Sequence, residues 1–462
     1  MKARYGLAVA ALTLMVSATA CGRSSTPSAS PTSSGGTTAS TAASKCASAS
    51  LQATDTGISA DTITVAVLAD VNSPLAPGLF KGNWDGVQSW AKFVNANGGL
   101  GCRQVKVELL DSQLDPSKAT NGNIQACKDA VAMIGNNALF DPTAADVSKC
   151  KDAKGQATGI ADIAGIANDV NEMCNPTTFV IQVVNEYCPI TPGLRKQSAG
   201  IGIWQYYKKQ IPDFNGMFLV PSDLPTTLQS AVPQFVASEK AGVKWGAKVG
   251  VSGLLPQPGY DKFIQQAKSL GINVIHNGSN DATMIKMRKE SVAQGFGSQI
   301  KLWSCTLACY TNNFLVAGGS AVEGTSIWLP FLPYEEADLN ADAKAYLDGV
   351  GGPEKATSWG AQAFQAGEAL RKVVDQIVAK DGPNAITRAS IIDGLKHLGT
   401  FDSNGWMGPK DLRGNTPCYV VVKVQGGKFV RVFPQKRGTF ECDPSSLIDI
   451  MVDPVAGAKE IK

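Results

Sequence analysis

The sequence predicts an α/β protein with two lobes, each containing a parallel β-sheet flanked by helices. β-Branched runs alternate with stretches of helical apolar spacing, which is typical of βαβ units. The alternation occurs in two series, which begin near residues 63 and 200. About 400 residues also exceed what one compact core accommodates, so two lobes are expected.

The first residues have the pattern of an export signal. Lys2 and Arg4 precede an apolar run over residues 7–16, and small residues stand directly before Cys21. The run is too short to span a bilayer. Residues 18–21 resemble a bacterial lipobox, which implies a signal over residues 1–20 and a lipid on Cys21. The alternative is an ordinary secretory signal with an incidental cysteine.

Residues 21–60 are mostly Ser, Thr, Ala, Gly and Pro. Such a segment buries too little apolar surface to offset the entropy of ordering, so we expect a flexible tether. The net charge is +3 and the basic residues are dispersed. Nucleic-acid binding therefore gains no electrostatic support. The expected membrane attachment is the lipid alone.

Eleven cysteines less Cys21 leave ten, an even number that favours disulfides in an exported chain. The sequence does not fix their connectivity. Pairs of near neighbours are favoured, with the remaining two joining the tether to the globule: Cys127–Cys150, Cys174–Cys188, Cys305–Cys309, Cys418–Cys442 and Cys46–Cys102. Reading Cys305 and Cys309 as metal ligands is weaker, because no further ligands stand nearby.

The first series opens with the strand "ITVAVL" and a helix over residues 84–95. The glycines of "NANGGLGCRQVKVELL" then follow a helix and precede a strand, which is the reverse of a phosphate-binding loop. Glycine at a helix end is typical of a left-handed cap. Further predicted elements are a helix over residues 117–128, the strand "AVAMIG", a helix over residues 141–155, and the strands within "ATGIADIAGIAN" and "TTFVIQVV".

The second series contains the strand "AKVGVSGL", the helix "YDKFIQQAKSLG" and the strand "INVIHN". Later strands are predicted in "SQIKLWSC" and "VEGTSIWL", and helices over residues 356–379 and in "ITRASIIDGLKHLG". The end of the chain, "CYVVVKVQGGKFVRVF", is predicted to form a hairpin around Gly426 and Gly427.

Several stretches together resemble the type I periplasmic binding proteins, and more closely the substrate-binding lipoproteins of branched-chain-amino-acid-type ABC transporters. The strongest signature is "FVNANGGLGCRQVKVELLDSQLDPSKA". "AVEGTSIWLPFLPYEE" is similar to the family's return segment between lobes, "WGAQAFQAGEAL" to one of its helices, and "YVVVKVQGGKFVRV" to its final strands. The resemblance extends from about residue 63 to residue 432.

The resemblance implies two hinged lobes that close on a small molecule and then dock on ABC permease subunits. The implied divisions are an N-terminal lobe of residues 61–190 and 328–400, a C-terminal lobe of residues 191–327 and 401–445, and a tail of residues 446–462. It implies an extracytoplasmic, lipid-anchored monomer with no cofactor and no metal.

Parallel sheets bind ligands beyond the carboxyl ends of their strands. The candidate ligand-binding residues of the first lobe follow its predicted strands, and they are Asn72, Ser73, Asn136, Asn137, Ala138, Leu139, Ala167 and Asn168. The family's carboxylate-binding hydroxyl and threonine fall near Leu139 and Asn168. Leu139 cannot donate a hydrogen bond to a carboxylate, and Asn168 is suited to neutral polar groups. These two residues therefore argue against a simple α-amino acid as the ligand and favour a ligand with neutral polar groups. Turn-forming roles for the Asn and Ser residues are the alternative.

Aromatic candidates come from the second series. Tyr206, Tyr260 and Trp328 are predicted to form an aromatic wall suited to an apolar or ring-bearing ligand. Core or hinge packing is the alternative for Trp328. The family also has a further helix and strand after "INVIHNGSN", which this sequence lacks, so the second lobe is expected to be one βα unit short.

Two other functions are alternatives to capture for transport. A secreted hydrolase would need a nucleophile such as Ser252 and one of only two histidines, His276 or His397, as its base. The spacing around Ser252 is not that of a nucleophile elbow. A ligand-sensing lobe without transport uses the same fold, so sequence alone leaves it open.

Overall fold

The computed structural model describes residues 46, 49–74, 76–167, 170–182, 193–223 and 225–462. The predicted signal at residues 1–20, Cys21 and most of the tether lie outside these ranges. Residues 49–60, which the sequence assigns to the tether, pack on the first lobe. There the guanidinium of Arg103 donates to the carbonyls of Gln52 (2.9 Å) and Ser59 (2.8 Å).

The first sheet contains five parallel strands in the spatial order β2-β1-β3-β4-β5. They are β1 Thr62–Ala69, β2 Gln104–Asp111, β3 Ala132–Ile134, β4 Ala161–Ala164 and β5 Thr178–Val180. β1 pairs on both sides, and every residue from Val65 to Ala69 is buried. The β-branched run of β1 therefore suits a strand that is covered on both faces.

The helices described in this part of the chain are α1 Lys81–Ala96, α2 Pro116–Asp129 and α3 Val170–Met173. The helix predicted over residues 141–155 is wrong in extent, because only a 3₁₀ turn forms at Ala144–Lys149. The chain leaves this turn at Cys150, which is bonded to Cys127, and Gly155 then adopts a positive φ of 78°.

The glycine run ends α1 and turns the chain into β2. Gly98, Gly99 and Gly101 have φ values of 98°, 80° and 53°, a region that side chains with a Cβ rarely adopt. The Gly99 N–H donates to the carbonyl of Val94 (2.9 Å). A Cβ on Gly99 would lie 2.3 Å from the carbonyl oxygen of Arg103. The interpretation as a helix-terminating turn is confirmed.

After β6 (Arg195–Gly200), the second sheet has the spatial order β8-β7-β9-β10-β11-β12-β13. Its strands are β7 Asn215–Pro221, β8 Lys244–Val251, β9 Val274–Asn277, β10 Leu302–Cys305, β11 Ser326–Leu329, β12 Cys418–Gln425 and β13 Lys428–Phe433. The helices are α4 Gly202–Gln210, α5 Pro225–Lys240, α6 Asp261–Ser269, α7 Asp281–Ala293 and α8 Asn312–Gly318. β12 runs antiparallel to β11, and the predicted hairpin joins β12 to β13.

The expectation of a missing βα unit is wrong. β7 to β11 are parallel and repeat the strand order of the first sheet. Sequence analysis overlooked β7, whose short apolar run lies between Gly216 and Pro221. α7 follows β9 directly, capped by the side chain of Asn280, which accepts from the Thr283 N–H (2.9 Å). The β9-α7-β10 unit is therefore complete.

The chain then returns to the first lobe as α9 Ala341–Val350, α10 Ser358–Asp381 and α11 Arg388–Lys396. It ends with β14 Leu447–Val452, which pairs with β6, and α12 Pro454–Ala458, which packs against α5. The sequence assigns this last stretch only to a tail. No helix within the described ranges combines the length and apolar character needed to cross a membrane.

The prediction of disulfides is confirmed. The structure contains Cys46–Cys102, Cys127–Cys150, Cys305–Cys309 and Cys418–Cys442. Cys174 is also disulfide-bonded, and its predicted partner Cys188 lies outside the described residues. The Cys46–Cys102 bond closes a loop with a separation of 56 residues and fixes the end of the tether on the globule.

Three chain segments connect the two lobes, and we call them the three crossings: residues 181–201, 330–340 and 397–417. Backbone hydrogen bonds join them. The Leu332 N–H donates to the Trp406 carbonyl (2.8 Å), and the Gly408 N–H donates to the Pro330 carbonyl (2.9 Å). At the start of the first crossing, the Val180 N–H of β5 donates to the Leu412 carbonyl (2.8 Å).

Lys410 adds a side-chain link between the third crossing and the start of the first. Lys410 is 4% exposed, and its ammonium donates to the carbonyls of Val180 (3.0 Å) and Ile181 (3.3 Å). Burial lowers the pKa of Lys410 to about 7, and neighbouring Asp411 acts in the opposite direction. An amine buried at this place is therefore expected to change its charge near neutral pH.

We expect the variant Lys410→Met to remove a pH dependence of stability. The pKa of Lys410 in the folded state lies below its unfolded value of 10.5. Between about pH 7 and 10.5 the unfolded chain therefore binds more protons at this residue than the folded chain does. The stability of the wild type rises with pH in that window as a consequence. The free energy of unfolding of the wild type, relative to Lys410→Met, should increase by roughly 2 kcal/mol from pH 7 to pH 9. Urea unfolding at both pH values measures this difference, and a constant difference would contradict it.

Candidate functional site

The two sheets approach each other with the carboxyl ends of their strands. Ser358, the first residue of α10 in the first lobe, donates its hydroxyl to the carbonyl of Leu307, which follows β10 in the second lobe (2.8 Å). Loops diverge from parallel strands at these ends and leave a crevice. The candidate site is therefore the pair of facing walls formed by the loops after β1, β3 and β4 and after β7, β8 and β9.

Asp70 organises the wall of the first lobe. It is fully buried after β1, and its carboxylate accepts from the Ser112 hydroxyl (2.7 Å), the Leu114 N–H (2.7 Å) and the Leu139 N–H (2.8 Å). The loops after β1, β2 and β3 are thus held by one carboxylate. Sequence reasoning missed Asp70; its position directly after a buried strand was the available signal.

Asp111 holds the neighbouring turn in a similar way. Its carboxylate accepts from the Val71 N–H (2.9 Å) and from the Asn72 side-chain amide (2.7 Å). Burial acts to raise the pKa of Asp111, but the hydrogen bonds from Val71, Asn72 and Gln113 prevail and lower it. The candidate Asn72 is exposed and tied to Asp111, whereas the candidate Ser73 is buried beside it.

Asn136 uses both ends of its side-chain amide inside the sheet. Its oxygen accepts from the Leu68 N–H (2.8 Å), and its NH₂ group donates to Asp162 (2.8 Å). Burial raises the pKa of Asp162 to about 7, against hydrogen bonds from Thr178 and Asn136 that lower it. The Asn136 side chain therefore fixes β1, β3 and β4 together, and the Asn136 carbonyl accepts from the Gly165 N–H (3.1 Å).

The other candidates of the first wall lie at the same edge. Asn137 and Ala138 are buried after β3, and Leu139 is half-buried. Ala167 is buried beside Val180 after β4. Asn168 lies outside the described residues.

An apolar surface that the sequence analysis missed adjoins Leu139. Phe80 and Val71 are buried there, with half-buried Trp84, Leu139 and Trp359 packed against them. The ring of Trp359 meets the ring of Phe80 edge to face, with centroids 5.6 Å apart. This side of the site offers aromatic and aliphatic contacts to a ligand rather than a charged partner.

The wall of the second lobe carries the exposed carboxylate of Asp223, after β7. It accepts from the Ser252 hydroxyl (2.6 Å) and from the Gly253 N–H (2.8 Å), both after β8. Tyr260 is fully buried, and its hydroxyl makes no hydrogen bond of normal geometry. Burial is the main cause that raises the pKa of Tyr260, and Asp223 adds to it.

The histidines give Ser252 no base. The imidazole of His276 bonds the Ser304 hydroxyl (2.6 Å) inside the sheet, and burial lowers its pKa to about 3. His397 is exposed at the end of α11, where its ring nitrogen bonds the carbonyl of Asp393 (2.9 Å). The arrangement that a serine hydrolase requires is therefore missing around Ser252.

Tyr206 and Trp328 are placed away from the walls. Both are half-buried in the apolar cluster between α4 and the second sheet. The Tyr206 ring stacks on Phe433 with centroids 4.5 Å apart, and Trp328 pairs with Val421 within the sheet. Of the three aromatic candidates, only Tyr260 lies next to the polar groups of a wall.

In the part of the chain that the structure describes, no group of His, Cys, Asp and Glu side chains is arranged to hold a metal ion.

Comparisons with known proteins agree with this architecture. The family model described as periplasmic binding protein matches residues 62–428. A leucine binding protein, LivK, from Thermotoga maritima has a TM-score of 0.61 and 13% identity, with 83% of this chain and 99% of that chain covered. Curated protein sequences give no match.

Two further solved structures contain ligands. A solute binding protein of an ABC transporter from R. palustris, in complex with benzoate, has a TM-score of 0.61 and 18% identity, covering 83% of this chain and 98% of that one. An ABC transporter substrate-binding protein from Desulfitobacterium hafniense, in complex with Leu, has a TM-score of 0.55 and 15% identity, covering 80% and 100%.

The family match begins at the first residue of β1 and ends at the first residue of β13, so it covers the first sheet, the second sheet as far as β12, and all three crossings. The predicted type I fold, with two lobes of parallel sheets, is confirmed. The chain belongs to the periplasmic binding protein family.

Proposed function

We propose that this protein captures a small molecule between its lobes, outside the cytoplasm, and delivers it to the permease of an ABC transporter. The observation that carries the proposal is the meeting of two sheets of identical strand order at their carboxyl ends, across three crossings. A ligand that contacts both walls would favour a closed arrangement, because it binds that arrangement more tightly.

The composition of the walls supports a ligand class. The surface around Phe80, Leu139 and Trp359 suits an apolar or ring-bearing part, and Asp223 with the loop N–H groups suits a polar end. Structural neighbours hold leucine and benzoate. We propose an amino acid, an amide or a related small metabolite as the ligand, with Ser73, Asn137 to Leu139, Ala167, Asn168 and Tyr260 among the residues near it.

Leucine and benzoate are the first ligands to test, by thermal unfolding of the full chain. At 100 times its Kd, a ligand stabilises the folded state by about 2.7 kcal/mol, which raises the Tm by several degrees. Chromatography of the recovered ligand should show no turnover. The variant Gly253→Trp places an indole beside Asp223, where a Cβ on Gly253 lies 3.5 Å from the carboxylate, and should abolish the shift.

Gly297→Trp is the matched control. Gly297 precedes β10 at the opposite, amino edge of the second sheet, and its φ also permits a side chain. This variant should keep the ligand-induced shift. The proposal for the cleft fails if Gly253→Trp responds to ligand like the wild type, or if both variants lose the response equally.

Lipid attachment at Cys21 is part of the proposal and rests on the lipobox resemblance. A covalently attached lipid holds a protein at the membrane through the apolar surface of its acyl chains. The variant Cys21→Ser, expressed in a bacterial host, should move the protein from the membrane fraction to the soluble fraction. An unchanged distribution between the fractions would contradict the anchor without affecting the proposed cleft.

A further inference from the structure

A second cavity lies beside the second crossing. Its volume is about 290 Å³, and both lobes line it. Tyr310, Leu315 and Phe429 come from the second lobe, Tyr334 and Glu335 from the second crossing, and Glu354 from the loop between α9 and α10. None of the residues of the two walls described above lines this cavity. Its size suits a small molecule.

Aromatic rings form the inner side of the cavity. The Tyr310 ring lies 4.7 Å from the ring of Tyr334 and 4.6 Å from that of Phe429, measured between centroids. The Tyr310 hydroxyl donates to the Glu335 carboxylate (2.6 Å) and accepts from the Tyr334 N–H (2.7 Å). The carboxylate of Glu335 is therefore held in place against an aromatic surface.

Within the described residues, Glu335 and Glu354 form no ion pair, although cations are close. Arg431 pairs with the buried Glu336, and Arg437 pairs with Asp338 while donating to the backbone carbonyl of Glu335 (3.0 Å). Both neighbouring guanidinium groups are thus already neutralised. Two negative charges remain at a site whose other lining side chains are aromatic, aliphatic or neutral polar.

Both carboxylates of this cavity are within reach of a ligand. Glu335 and Glu354 are exposed residues. Atoms packed around the Glu335 carboxylate raise its pKa by desolvation, although the hydrogen bond from Tyr310 lowers it. A cation that enters the cavity can therefore contact carboxylates that form no ion pair within the described residues.

We propose that this cavity binds a small organic cation, a substituted ammonium, as a second ligand distinct from the one in the cleft. Aromatic rings and two carboxylates that form no ion pair within the described residues together favour an ammonium over a neutral molecule of the same shape. Because Glu354 and Leu315 come from different lobes, a cation that contacts both stabilises the lobe arrangement seen here. The second site would thereby bias how the lobes open.

Calorimetric titration of the full chain with choline tests the proposal, with 3,3-dimethyl-1-butanol as the uncharged isostere. Choline should bind with one site per chain, and the isostere should not bind. Glu354→Gln removes an exposed charge without a hydrogen-bond partner, and should weaken choline binding at least about fivefold. Its Tm without choline should equal that of the wild type.

Asp381→Asn is the control variant, because Asp381 is an exposed acid at the end of α10, away from the cavity. It should bind choline like the wild type. Gly253→Trp should also keep choline binding, even where it abolishes binding in the cleft. No binding of choline by the wild type, equal binding of the isostere, an unaffected Glu354→Gln, or loss of choline binding in Gly253→Trp would each overturn the second site.

Discussion

The hydrogen bonds at the three crossings are the constraint on which the rest of the structure depends. Leu332 with Trp406 and Gly408 with Pro330 join the second crossing to the third, and Val180, the residue before the first crossing, bonds Leu412 of the third. Each crossing by itself is a single connection and would allow the lobes to rotate freely. The hydrogen bonds join the crossings, and the buried ammonium of Lys410 adds a further link. Crossings that are joined in this way restrict the lobes to a hinge movement. A crevice between two walls needs such a movement to close on a ligand.

In the first-lobe wall of the crevice, too, one polar side chain forms hydrogen bonds with several chain segments. Asp70 accepts three hydrogen bonds from two loops and so ties them to its own, and Asn136 links three strands. Such buried polar groups position the backbone at the edge of the first sheet, where Phe80, Leu139 and Trp359 form the adjoining apolar surface. The cavity beside the second crossing differs, since its carboxylates are exposed and form no ion pair within the described chain. Structural carboxylates are saturated with donors, whereas those available to a ligand are not.

Local patterns predicted most of the fold, because strand and helix periods and glycine turns are properties of a few consecutive residues. The strand β1, the turn after α1 and the hairpin between β12 and β13 were predicted on that basis. β7 was missed because its apolar run is short and bounded by Gly216 and Pro221, and the error made the second lobe appear one unit short. The site was predicted less completely. Position after a strand singled out Leu139, which the structure places beside Phe80 and Trp359. The hydrogen bonds of Asp70 and the packing of Trp359 against Phe80 depend on contacts between distant segments. Tyr206 and Trp328 were chosen by residue type, which does not reveal that they pack on Phe433 and within the sheet.

Amide hydrogen exchange at the crossings tests the hinge most directly. If the three crossings form one cooperative unit, the N–H groups of Val180, Leu332 and Gly408 should be protected together, to nearly the extent of the central strand β1. If these amides exchange as fast as those of the exposed hairpin turn at Gly426 and Gly427, or differ widely from one another, the lobes are not held by a shared hinge and the account is contradicted.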